Sequence, residues 1–234
     1  MTILAMLSPA EAEAARLSLL VATAAVAGSL PFGIACGWLL ARYDFRGKAL
    51  LETGLNLPLV LPPVVTGYFL LVLFGRQGWL GRVLDEWLGI SLVFDWKGAA
   101  LAAAVVSFPL MVRAIRLAFT SVDRRLEQAA RTLGAGRFDA FLTISLPLAL
   151  HGIIAGCVLA FARSIGEFGA TIMIAGNIPG QTQTIPLFIY GQLETPGGVD
   201  RSRTAVVVAV VIAAAALIAG EWLERRGRAR LRAQ

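Results

Sequence analysis

The amino-acid sequence predicts an all-α fold, a polytopic membrane helix bundle, and three observations carry that prediction. Of 234 residues, 57% are hydrophobic and only 15% charged, against roughly 25% charged in soluble domains. Several apolar runs reach the ~20 residues needed to cross a bilayer core. The basic residues gather in the short segments between those runs, the pattern of an orientation signal rather than of one soluble cationic face. The formal net charge of +6 therefore points to a membrane and not to nucleic acid.

Taken in chain order, the first span covers about 16–40. Its "AVA" at 25–27 resembles a signal-peptide cleavage site, but Glu11 and Glu13 stand where a basic leader would be, and apolar sequence continues to Leu40. An uncleaved span is the reading. The second span, about 51–74, contains "NLPLVLPPVVTGY", and Pro58, Pro62 and Pro63 remove backbone donors and bend any helix there. Such breaks persist at membrane depth only where protein neighbours or a water-filled path satisfy the freed carbonyls. The third span, about 98–119, carries Pro109; the fourth covers about 148–175 and the fifth about 204–223. A sixth short or re-entrant element is the alternative for 177–200, which is proline-rich and partly apolar. Segment 75–98 holds Trp79, Trp87 and Trp96 and reads as an interfacial helix and turn.

Five spans place alternate connections on one side. That side receives Arg42, Arg46 and Lys48, then Arg113, Arg116, Arg124, Arg125, Arg131 and Arg137, then Arg225, Arg226, Arg228, Arg230 and Arg232, fourteen of the 21 basic residues. The positive-inside rule puts this side in the cytoplasm, with the N-terminus outside and the C-terminus inside.

Two features are more than anchors. Arg163 and Glu167 stand four residues apart in the fourth span, so a helix would carry them on one face. Ionisable groups at that depth face a bundle interior or a polar route: either a mutual ion pair locking the bundle, or the lining of a path. Gly166 and Gly169 beside the Glu permit close approach or local unwinding. The second feature is the polar elbow over 121–147. Leu126, Ala129, Ala130 and Leu133 mark one apolar helical face, Ser121 or Asp123 caps its start, and Gly134 and Gly136 end it. A second short amphipathic stretch, Phe138, Phe141, Leu142 and Ser145, leads to Pro147 in the first turn of the next span. Two short helices at an angle are expected, lying on the lipid surface or docked in a partner's groove.

The elbow resembles the signature of binding-protein-dependent ABC transporter permeases: Glu-Ala-Ala, three residues, Gly, nine residues, Ile-x-Leu-Pro. Gln128, Ala129, Ala130, Gly134, Ile144, Leu146 and Pro147 keep that spacing without a gap. Gln128 departs from the Glu of the pattern, and Glu127 lies one residue earlier. "LPLVLPPVVTGY", "FPLMVRAIRLAF", "ARSIGEFGATIMIAGNIPG" and "TQTIPL" extend the likeness to the molybdate, tungstate and sulfate permeases over about 17–223, with "GEFGAT", "NIPG" and "TPGG" favouring molybdate.

The resemblance implies a single transmembrane permease domain, 1–234, in the bacterial cytoplasmic (inner) membrane. It implies two copies of the chain, two separate ATP-binding cassette ATPase subunits that hold ATP and Mg, and a periplasmic oxyanion-binding protein. The elbow becomes the coupling helix, with Glu127, Gln128, Ala129, Ala130, Gly134, Ala135, Gly136, Ile144, Leu146 and Pro147 as its residues. Arg163, Glu167, Pro62, Pro63 and Thr66 are nominated for the translocation pathway. No GxxxxGK[ST] phosphate loop occurs, and no cofactor or metal is expected in this chain. Cys36 and Cys157 read as small buried hydrophobes, and one His without a Cys or His cluster argues against a metal. Enzyme chemistry lacks a nucleophile–base pair. A non-transporting scaffold leaves the broken spans and intramembrane charges unexplained. After the fifth span only a short basic tail is expected, with no regulatory domain.

Overall fold

The computed structural model describes residues 7–231, and helices are the only regular structure among them. Helix α1 (Pro9–Arg42) starts on a capping box: the Ser8 side chain accepts from the Glu11 amide while the Glu11 carboxylate accepts from Ser8. It outruns the predicted 16–40 at both ends, at the N-terminus because that box and Pro9 in the first turn extend it. Among the described residues, four single helices are long and apolar enough to cross a membrane: α1, α5 (Trp96–Ser121), the run Arg137–Ile165, and α11 (Gly198–Leu231) as far as Trp222.

The second expected span is two helices, α2 (Lys48–Val60) and α3 (Pro63–Phe74), bent by 112° across Leu61 and Pro62. The cause is local: Pro62 and Pro63 supply no N–H, and Leu61 and Pro62 sit in extended backbone conformations with ψ of 145° and 133°. Pro58, by contrast, stays inside α2, and Pro31 and Pro109 stay inside α1 and α5. Counting the bent pair as one span brings the total to five. Next comes α4 (Trp79–Leu88), where Trp79, Val83 and Trp87 repeat at four-residue spacing and all stand exposed, the face expected at a lipid interface.

The fourth expected span, 148–175, is likewise not one helix. Helix α8 (Leu146–Ile165) ends before Gly166, and a short α9 (Gly169–Ala175) begins three residues later. Arg163 is therefore on α8 but Glu167 lies in the break, so they do not share one helix as the spacing suggested. The re-entrant alternative for 177–200 takes the form of α10 (Ile185–Leu193), whose Ile185 amide donates to the Ser18 hydroxyl of α1 at 2.8 Å. Helix α11 closes the chain. The tail residues Arg225, Arg226, Arg228 and Arg230 fall on its backbone; their side chains, and Arg232, lie outside the described residues.

Helix α5 is the axis of the bundle. Its Met111, Ile115 and Phe119 are fully buried. Each flank meets it through a pair of glycines four residues apart. A Cβ on Gly33 or Gly37 of α1 would come within 2.8 Å of Met111 or 2.6 Å of Ile115. One on Gly152 of α8 would lie 2.3 Å from Ala118. Lipid tails are as apolar as leucine, so helices in a bilayer associate through this close backbone packing.

Candidate functional site

The elbow forms where α5 ends. Helix α6 (Arg124–Thr132) is capped by Asp123, whose side chain accepts from the Arg125 amide. After Leu133 the chain turns at Gly134, with φ of +98°, a left-handed conformation in which glycine bears no steric cost. Gly136 does not help to end α6, as the spacing suggested; it is the residue from which α7 (Arg137–Ala140) starts. Nor is the second stretch a free short helix. It runs through a π-helical turn, Phe141–Ser145, into α8, so that Arg137–Ile165 is one apolar rod with Pro147 in the first turn of α8. Such π-turns shift the register of a helix by one residue. Here Phe141 packs on Trp38 and Phe119, with ring centroids 5.2 and 6.0 Å away, and Ser145 is buried, while Phe138 and Leu142 stay exposed.

No residue of α6 is buried. Leu126 is 48% exposed and Leu133 89%, so the apolar face read from the periodicity exists and lies uncovered in the single chain. Gln128, Ala129, Gly134, Gly136 and Pro147 are exposed; Ala130, Ala135, Ile144 and Leu146 are half-buried. Glu127 points the other way. Its carboxylate takes an ion pair from Arg42 at the end of α1, 2.6 Å away, and accepts the Ser145 hydroxyl. That inward link joins residues far apart in the chain, and no local spacing announces it.

The second constellation lies where the broken helices meet. Gly169, opening α9, faces Pro63, opening α3: a Cβ there would be 2.9 Å from the Pro63 Cβ. A Cβ on Gly67 would be 2.7 Å from the Ala170 carbonyl oxygen. The two breaks thus pack directly on each other. Glu167 closes the junction: Oε1 accepts the Ala170 amide at 2.9 Å and Oε2 lies 2.8 Å from Arg163. The carboxylate side chain is 2% exposed and the guanidinium 31%, so the accessible half of the pair is the positive one. Thr66 is buried beside the junction with no hydrogen bond to its hydroxyl, Pro63 is half-buried and Pro62 exposed.

Among the described residues no group of three His, Cys, Asp or Glu side chains is placed to hold a metal. Cys36 and Cys157 are free and partly buried in the single chain.

The fold and these two constellations define a class: a polytopic helical membrane protein with two mutually packed breaks at depth and an exposed helical elbow between its third and fourth spans. The family model "Binding-protein-dependent transport system inner membrane component" matches residues 29–232, and the chain belongs to that family. It is 58% identical over 224 residues to "Molybdenum transport system permease protein ModB" of Escherichia coli (strain K12), covering 96% of this chain and 98% of that one. It is 42% identical to a "Putative molybdenum transport system permease protein" of Bacillus subtilis (strain 168), over 81% of this chain and 83% of that one. Identity to a "Sulfate transport system permease protein" of Synechococcus elongatus is 38%, over 92% of this chain and 74% of that one. Among solved structures, the fold is like that of the MetNI methionine ABC transporter, with a TM-score of 0.67, 17% identity, and coverage of 90% and 93%. It is also like that of a bacterial alginate ABC importer, at 0.68 and 16%, covering 95% and 80%. This is a transport component of the inner membrane, and no enzyme.

Proposed function

We propose that this chain is the permease subunit of an ATP-driven molybdate importer, working as a homodimer with two separate ATPase subunits and a periplasmic oxyanion-binding protein. The observation that carries the reading is the exposed elbow, uncovered by the chain's own bundle and built on the family spacing. The 58% identity to a molybdenum permease across nearly the full length of both chains supports the substrate. In this reading the elbow lies in the cytoplasm and the N-terminus in the periplasm, an orientation the positive-inside rule supports through the basic connections. Leu126 and Leu133 then seat in a groove of the ATPase, as an amphipathic helix does in a partner. ATP and Mg belong to that partner. The chain acts as one permease domain.

The route runs along the junction of α3 and α9. Breaks at depth persist only where the freed backbone is buried in protein or lines a water-filled path, and discontinuous helices hold substrates in other transporters. Arg163 offers the dianion a half-accessible cation, while Glu167 keeps that charge from forming a tight trap; a transported ion must leave again. Pro62, Pro63 and Thr66 border the same junction. Rocking of the bundle around it supplies alternating access.

Vesicles carrying the assembled complex test the substrate. Labelled molybdate uptake is expected to be suppressed by unlabelled tungstate more than by sulfate. Sulfate uptake that exceeds molybdate uptake at equal concentration overturns the molybdate assignment in favour of a sulfate permease.

A further inference from the structure

We infer that α1 is driven by the elbow directly, through a clamp of Arg42, Arg124, Glu127 and Ser145, and that this clamp is required to turn ATPase motion into transport. The inference rests on the reading of the elbow as the ATPase-docking part.

Covalently, α6 is joined to α5 through Val122 and Asp123, and to the α7–α8 rod through Gly134 and Gly136. Helix α1 ends about eighty residues earlier and has no such joint. Instead, two arginines cross over. Arg42, the last residue of α1, donates from Nη1 to the Val122 carbonyl oxygen at 3.2 Å and pairs through Nη2 with Glu127 at 2.6 Å. Arg124, the first residue of α6, donates back to the Ala41 carbonyl oxygen at 3.0 Å. Each guanidinium thereby satisfies a carbonyl left open at the end of the other's neighbouring helix. The same Glu127 oxygen accepts from Ser145 in the π-turn, so a single carboxylate ties α1, α6 and the base of α8.

Burial makes the tie rigid. The Arg42 side chain is 6% exposed and that of Glu127 23%, so the cation is the desolvated half of the pair. An exposed ion pair of two long side chains is weak and labile; a desolvated one cannot lose a partner without leaving a bare charge. Arg42 Nε and Nη2 make no hydrogen bond within the chain, so the Nη2 ion pair with Glu127 and the Nη1 bond to Val122 are what hold this cation. Beneath it, Trp38 of α1 packs edge-on against Phe141 of the π-turn at 5.2 Å. Helix α1 and the elbow therefore move as one body, and Glu127 is a positioning residue, not a contact for the ATPase.

The complete complex, with its ATPase and binding protein, tests this in proteoliposomes as wild type, Arg42→Gln, Glu127→Gln and Arg42→Lys. In a background with Cys36→Ala and Cys157→Ala, spin labels on Ala35→Cys, exposed on α1, and Arg131→Cys, exposed on α6, report the separation of α1 from α6. The wild-type separation should be the same without nucleotide and with ATP trapped. Oxyanion moved per ATP hydrolysed should fall at least about fivefold in both Gln variants, the low end of an allosteric coupling, with Arg42→Lys intermediate. An unchanged ratio in an assembled Arg42→Gln complex overturns the inference, as does a wild-type separation that shifts with ATP. If the Gln variants do not assemble, the wild-type separation decides. A wild-type complex without ATP-dependent uptake defeats the coupling reading of the elbow instead, leaving the clamp geometry untouched.

Discussion

Glu167 serves two partners at once, the Ala170 amide that opens α9 and the Arg163 guanidinium at the end of α8. Removing the cation leaves a carboxylate that is 2% exposed without its counter-charge, and breaking a buried pair costs on the order of 3 kcal/mol. Arg163→Met is therefore expected to lower the thermal midpoint of the detergent-solubilised complex by several degrees, whereas Arg163→Lys keeps most of it. Equal midpoints for wild type and Arg163→Met would show that the pair does not hold the junction. Gly152 makes a sharper demand, since a Cβ there would meet Ala118 at 2.3 Å. Gly152→Leu must push α8 off α5, an overpacking cost of roughly 1–3 kcal/mol or more. The expected outcome is loss of membrane-inserted protein on an immunoblot, while Gly28→Leu, with nothing within 4 Å, is tolerated.

At the scale of the elements, the elbow depends on one backbone angle. Gly134 holds φ at +98°, which proline, fixed near −65°, cannot adopt. Gly134→Pro should leave the bundle inserted but redirect α6, so that ATP hydrolysis continues without uptake; uptake at the wild-type rate in that variant contradicts the role given to the turn. Leu133→Asp places a charge on the most exposed apolar residue of the elbow and is expected to reduce recovery of the ATPase in co-purification several-fold. The elements differ in how much of this was legible. Periodicity and Asp123 located α6, and tryptophan spacing located α4, because each signal lies within one or two turns. Paired prolines announced a bend after Val60 but not its 112°, which depends on α3 packing against α9. The split at Gly166 was left open for a related reason: Gly166 and Gly169 allowed local unwinding, but Glu167 could equally continue a helix to face Arg163, and its bond from the Ala170 amide is a contact beyond the break. Glu127 shows the limit of local reading. Its place beside the family signature suggested an outward contact, yet its partners, Arg42 and Ser145, lie 85 and 18 residues away.

For the whole molecule, one elbow per chain sets the stoichiometry if each ATPase receives one. The chain leaves a broad apolar surface on its bent pair: Leu50, Val60, Tyr68 and Phe69 are all more than half exposed. Lipid or a second copy must cover it. A homodimer puts two copies of the α3–α9 junction in one assembly, and the mass of the purified complex should correspond to two permease and two ATPase chains; one permease per two ATPases would exclude that arrangement. The fold class was readable throughout, since apolar runs and basic connections are properties of segments. The meeting of the two breaks was not, since it is a property of packing between α3 and α9.

The central claim is that this chain imports an oxyanion only when an ATPase drives it through the elbow. The direct measurement is labelled molybdate accumulation in sealed proteoliposomes containing the complex, with ATP inside, outside or absent, and with or without the binding protein. Accumulation is expected only when ATP is on the elbow side and the binding protein on the other. Accumulation without ATP, or without the binding protein, would contradict the account.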